Sequence, residues 1–60
     1  MVESDIKIGL LIQSKDGRKK YKIIDMLNDV VTFKSIIYGR DETRQIKLDK
    51  LLQNFKKIDE

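Results

Sequence analysis

Five cations fall within eight residues of this chain: Lys15, Arg18, Lys19, Lys20 and Lys22, with Asp16 the only acid among them and Tyr21 in their midst. Such a run has a definite chemistry open to it. Ammonium and guanidinium groups neutralise phosphates without reading sequence, and an aromatic ring set between them can stack on a base. The same residues also describe a solvated hairpin tip with Tyr21 turned into a core beside Ile23. From the sequence both remain open.

Catalytic and metal chemistry has less to work with. The chain contains no histidine and no cysteine. A Ser or Thr nucleophile needs an adjacent base, and imidazole is missing. Without thiolate or imidazole a structural zinc site is excluded, and so are disulfides. Asp25, Asn28 and Asp29 come nearest to an oxygen-ligand cluster, but their spacing does not match a calcium loop. Asn28-Asp29 reads instead as a tight turn, and Asp41-Glu42 as solvated charge in another. Gly9, Gly17 and Gly39 stand alone, so no glycine-rich phosphate loop is formed. The expectation is a protein that is not an enzyme and takes no cofactor, metal or small-molecule substrate.

A second surface competes with the basic run. Leu11, Met26, Ile36 and Tyr38 cannot all point inward on alternating strands of so small a domain, and Ile36 and Tyr38 fall on the face of one strand opposite Phe33. Leu11, Ile36 and Tyr38 are therefore the candidate contacts for a protein partner or for self-association.

The elements that must position these residues follow from composition and period. Sixty residues make one domain, here 1–60, burying only about 60% of its unfolded surface. Its apolar residues include nine Ile, six Leu and three Val and no Ala. β-Branched side chains favour the pleated backbone, and a helical bundle without alanine would be unusual. Ile6, Ile8, Leu10 and Ile12 alternate as a first strand, with Gly9 marking a bulge or bend. Asp16-Gly17 suits a hairpin turn. Lys19 to Leu27 is ambiguous: Tyr21 and Ile23 alternate as in a strand, whereas Ile23, Ile24 and Leu27 also fit one helical face. The strand is favoured. Val30 to Tyr38 reads as a third strand with Val31, Phe33 and Ile37 on one face, and Thr43 to Leu48 as a fourth with Ile46 and Leu48 inward. The period then changes. Leu48, Leu51, Leu52 and Phe55 sit at i, i+3, i+4 and i+7, which predicts a short helix over Asp49 to Phe55, capped by Asp49 and closing one end of the sheet. Ile58 would belong to a short closing strand.

This order of elements resembles the small SH3-like β-barrels of the KOW and Tudor type. The stretches that carry the resemblance are Ile6-Lys7-Ile8-Gly9, Ser14-Lys15-Asp16-Gly17-Arg18, Tyr21-Lys22-Ile23-Ile24 and Asp29-Val30-Val31-Thr32-Phe33. Lys19-Lys20 stand where the KOW pattern carries a glycine. The resemblance implies a mainly β barrel of four to five antiparallel strands with one short C-terminal helix, acting as a binding module. An aromatic cage of the Tudor kind does not follow, since only four aromatics are present and Phe33 and Phe55 read as core.

Thirteen Lys and Arg against ten Asp and Glu give a net charge of +3, a mild excess. The longest apolar runs, Leu10-Leu11-Ile12 and Ile36-Ile37-Tyr38, are far short of a membrane span of about 20 residues. The acidic start lacks the features of a signal peptide, so a soluble, cytoplasmic protein is expected. Its function divides between two readings. One is nucleic-acid contact through Lys15, Arg18, Lys19, Lys20, Tyr21 and Lys22. The other is a protein-interaction module or inhibitor of phage or mobile-element type, using Leu11, Ile36 and Tyr38. Were Lys19 to Leu27 helical, the chain would instead be a small α+β regulator that reads DNA.

Overall fold

The segment that fits either period is a strand. In the computed structural model, which describes residues 2–58, Lys20–Leu27 forms the long second strand, β2. The α+β alternative therefore loses its premise. The residues that fit a helical face do not share one, since Ile23 is buried whereas Ile24 and Leu27 are exposed, and the register with the next strand shifts at a bulge between Ile23 and Asp25. Tyr21 and Ile23 point inward, the bulge reverses the parity, and Met26 comes inward opposite Val31.

The other elements are a 3-10 turn at Glu3–Asp5, β1 at Leu11–Ser14, β3 at Val30–Ser35, β4 at Thr43–Lys47, α1 at Leu48–Asn54 and β5 at Phe55–Lys57. The five strands make one antiparallel sheet in the order β4-β3-β2-β1-β5. The fold is mainly β with one short helix. Neighbouring strands in sequence pair as a meander, and the last strand returns to pair with the first. No described helix is long and apolar enough to cross a membrane.

Several expectations need correction; among them, the fourth strand stops at Lys47 with Leu48 opening the helix, and the closing strand is Phe55–Lys57 with Ile58 beyond it. The first strand does not run from Ile6. Gly9 takes φ 97°, the Leu10 N–H donates to the Lys7 carbonyl at 3.1 Å, and the chain bends before β1 begins at Leu11. Ile6 is buried, but Ile8 is left 63% exposed, so the apparent alternation does not mark one face. The third strand ends at Ser35, and Ile36 to Tyr38 lie in the following loop rather than on a strand face. Asp49 is not the helix cap: the helix starts one residue earlier, and the Leu48 N–H is satisfied by the Asp29 carbonyl at 2.7 Å. Asp49 sits in the first turn, where its charge opposes the helix dipole favourably.

The core lies between the inner face of the sheet and the helix. Ile12, Tyr21, Ile23, Val31, Phe33 and Leu51 are fully buried, with Ile6 and Phe55 close behind and Ile46, Leu48 and Leu52 packed partly against them. Tyr21, Phe33 and Phe55 meet edge to face at centroid distances of 4.8, 5.2 and 5.8 Å. The helical stripe thus delivers Leu51 to the sheet, and the chain leaves the helix at Phe55 (φ −130°, ψ 162°) to place that ring in the same cluster.

Candidate nucleic-acid interface

The hairpin that carries the basic run is built by Asp16. Its carboxylate accepts hydrogen bonds from the Ser14 hydroxyl at 2.5 Å and the Arg18 N–H at 3.0 Å. Those bonds, the Ser14 one foremost, hold its acidity below the usual carboxylate range. Gly17 takes φ 75°, as the turn requires, and its N–H donates to the Ser14 carbonyl at 2.9 Å. The acid within the run is thereby engaged in turn structure, leaving Lys15, Arg18 and Lys19 exposed around it.

Tyr21 is not where a stacking residue must be. It is 1% exposed, its ring is wedged against Phe33 and Phe55, and its hydroxyl donates to Glu42 Oε2 at 3.2 Å. No base can reach its faces, so the expectation that Tyr21 contacts nucleic acid is corrected. The cause is the strand period: Tyr21 shares the inner face with Ile23, which throws Lys20 and Lys22 outward.

On that outer face the register gathers lysines that are far apart in the sequence. Lys22 stands directly opposite Lys34 on β3. Gln13 pairs with Lys20 on one side and Lys56 on the other, which puts these three in one row across β2, β1 and β5. All four lysines are exposed. Partners in such a ladder have Cα atoms about 4.5–5.5 Å apart, and successive outward residues on a strand about 6.5–7 Å. The register puts Lys20, Lys22, Lys34, Lys47 and Lys56 on this face with the single strand acid Asp25, whereas Arg44 pairs with Phe33 and Lys57 with Ile12 on the inner side. The other described acids sit in turns, in the 3-10 segment or on the helix. A net charge of +3 therefore understates the field over this face. Among the described residues the one ion pair joins Lys57 Nζ to Asp5 Oδ1 at 3.8 Å, so Lys20, Lys22, Lys34 and Lys56 have no carboxylate partner there.

Lys34 and Lys56 were not singled out by the sequence, yet a signal for them exists. Each directly follows a buried aromatic, Phe33 or Phe55, and Lys20 and Lys22 flank Tyr21. A lysine adjacent in a strand to a core aromatic must point the other way.

The apolar candidates are placed differently from one another. Leu11 is half-buried and lies opposite Lys22 on the outer face. Ile36 is 43% exposed, and its N–H donates to the Lys20 carbonyl at 3.1 Å. Tyr38 lies two residues further into the loop. Lys20 and Lys22 stand between Leu11 and Ile36, so these residues do not form a continuous apolar patch; they border the basic surface.

Other chemistry finds no assembled site among the described residues. Ser4 and Lys7 have a Ser-x-x-Lys spacing and border a shallow depression with Asp5 and Lys57, but no hydrogen bond joins them among the described residues. Asp5 is engaged with Lys57 and with the Val2 N–H at 3.2 Å. No group of three or more acidic, His or Cys side chains gathers among the described residues in a way that could hold a metal ion. Comparison with protein-family models, with curated proteins and with solved structures gives no match to this chain.

Proposed function

We propose that this chain is a non-enzymatic binding module that takes the sugar–phosphate backbone of a nucleic acid on the outer face of its sheet. The observation that carries the reading is the cross-strand pair Lys22–Lys34, with Lys20 and Lys56 in the neighbouring row and, among the described residues, no carboxylate paired to any of them. Like charges directly opposed on a sheet destabilise it. Two unit charges about 6 Å apart in water repel by roughly 0.7 kcal/mol. A polyanion relieves that repulsion on binding. Lysine ammonium groups engage phosphate as point charges, so contact of this kind positions a strand without selecting its sequence. Arg18 and Lys19, at the hairpin end of the same surface, extend it. The element order that underlies the SH3-like resemblance supports a binding role in general and adds nothing about the partner.

A protein partner at Leu11, Ile36 and Tyr38 is the second reading, favoured by the open position of Tyr38. The two separate in a titration of the protein with oligonucleotides over a range of salt. Phosphate contact by the four lysines predicts that log K falls with log salt with a slope of about −3 on single strands, at roughly 0.7 per contact. Binding no tighter than about 10⁻⁴ M at low salt would turn the assignment to the protein partner.

A further inference from the structure

Of the four aromatic rings, three are sealed in the core and one, Tyr38, has a relative exposure of 103%. We propose that Tyr38 stacks on an unpaired base, and that the polyanion held by the basic face is a single-stranded nucleic acid. This rests on the phosphate-binding reading above and adds the state of the strand to it.

The position of the ring makes the case. The Ile36 N–H bond to the Lys20 carbonyl continues the pairing of β2 and β3 one residue beyond the end of β3. The loop that carries Tyr38 therefore leaves the sheet at the row of Lys20, Gln13 and Lys56. It is fastened at both ends. The Ser35 N–H donates to the Glu42 carbonyl at 2.8 Å, closing the base of the loop. Within it the Ile37 N–H donates to Ser35 Oγ at 3.2 Å and the Arg40 N–H to the Ile37 carbonyl at 3.1 Å. Tyr38 thus sits at the tip of a pinned turn, and a side chain on a pre-organised segment loses less freedom on binding. Arg40, exposed two residues on, adds a cation to the same turn. Asp41 is the exposed acid of the loop, while the Glu42 carboxylate is taken by the Tyr21 hydroxyl.

This arrangement discriminates between forms of nucleic acid. In a duplex the base faces are stacked on one another, and only edges and phosphates are offered. A flat ring beside a cationic surface gains from a strand whose bases are free, which is how sequence-tolerant single-strand binders combine charge with aromatic platforms. A protein partner would ask for contiguous apolar surface, and here lysines interrupt it.

The test compares wild type, Tyr38→Ala and Tyr38→Phe in anisotropy titrations at low salt. The probes are labelled single strands of about 12 nucleotides, as DNA and as RNA, and a duplex of the same length, within the site sizes typical of such modules. Single strands should bind more tightly than the duplex. Tyr38→Ala should weaken single-strand binding by about five- to 150-fold, with little change on the duplex, and Tyr38→Phe should keep affinity within about twofold. Unchanged single-strand affinity in Tyr38→Ala would overturn the stacking role, as would equal binding of duplex and single strand, and either would leave the phosphate reading standing. Absence of salt-sensitive binding to every probe would overturn both.

Discussion

The two faces of one sheet hold opposite solutions to the same local sequence. On the inner face Tyr21, Ile23, Val31 and Phe33 are excluded from water and share one packed cluster with Phe55 and Leu51. One residue away along the same strands, Lys20, Lys22, Lys34 and Lys56 are exposed and, among the described residues, none is ion-paired, Asp25 being the one strand acid on their face. The inner face is organised for stability, since each apolar side chain there gains from burial and the edge-to-face rings add to it. The outer face is organised at some cost to stability. A sheet selected only for its fold would set acids opposite those lysines, as cross-strand pairing rewards. The separation suggests that the two faces answer to different demands, and it can be broken one face at a time.

The largest effect should come from the inner face. Phe33→Ala removes a fully buried ring that touches both Tyr21 and Phe55, and is expected to cost about 3–5 kcal/mol. A domain of this size holds roughly 3–9 kcal/mol in all, so the variant should be largely unfolded in thermal or urea denaturation. Lys34→Ala, its neighbour, should change stability by no more than about 1 kcal/mol, in the stabilising direction expected from loss of its repulsion with Lys22. The contrast across one peptide bond is the sharpest form of the comparison.

Next comes the outer face itself. Lys22→Ser with Lys34→Ser should weaken oligonucleotide binding by about tenfold or more and lower the salt slope by about 1.4 on single strands. The same double variant should melt no lower than wild type and be up to about 1 kcal/mol more stable, because a like-charge pair is removed. A loss of stability would show that the lysines serve the fold.

A smaller effect tests the link between core and loop. Tyr21→Phe keeps the ring cluster and deletes the hydroxyl that donates to Glu42. It should cost about 0.5–1.5 kcal/mol in urea denaturation, the usual worth of one hydrogen bond.

The smallest concerns the hairpin and is read against pH. The Asp16 carboxyl lies below its usual range in the folded chain because Ser14 and the Arg18 N–H donate to it. A lowered folded value means that its contribution is present above the unfolded pKa and is lost as pH falls through the folded one. Wild type should therefore melt slightly above Asp16→Ala near neutral pH, with the gap closing as the solution is acidified below the usual carboxylate range. A gap that widened on acidification would reverse the assignment.

Much of the fold was legible in the sequence, for physical reasons that also explain the gaps. The change of period at Leu48 and the turn at Asp16-Gly17 are local signals, and the structure places a helix and a hairpin there. The bend before β1 was signalled by Gly9, but the alternation through Ile8 concealed how much of the strand it removes. The bulge after Ile23 was hidden because the register shift is set by pairing with β3, which the local sequence does not carry. The site was legible only in part. Arg18, Lys19, Lys20 and Lys22 are close in sequence and could be named, whereas Lys34 and Lys56 join them through strand register, which non-local contacts decide. Tyr21 is buried and Tyr38 is open for a related reason. Their faces are set by where β2 begins and β3 ends, boundaries that composition does not mark.

The central claim, that the outer face is the binding surface, is tested most directly by following backbone amide resonances while a single-stranded oligonucleotide is added. The account predicts shifts concentrated at Gln13, Lys20, Lys22, Lys34 and Lys56 and through the loop around Tyr38, fading as salt is raised. Shifts confined to the helix Leu48–Asn54, or to the exposed Leu27 and Val30 end of the sheet, with the lysine rows silent, would contradict it.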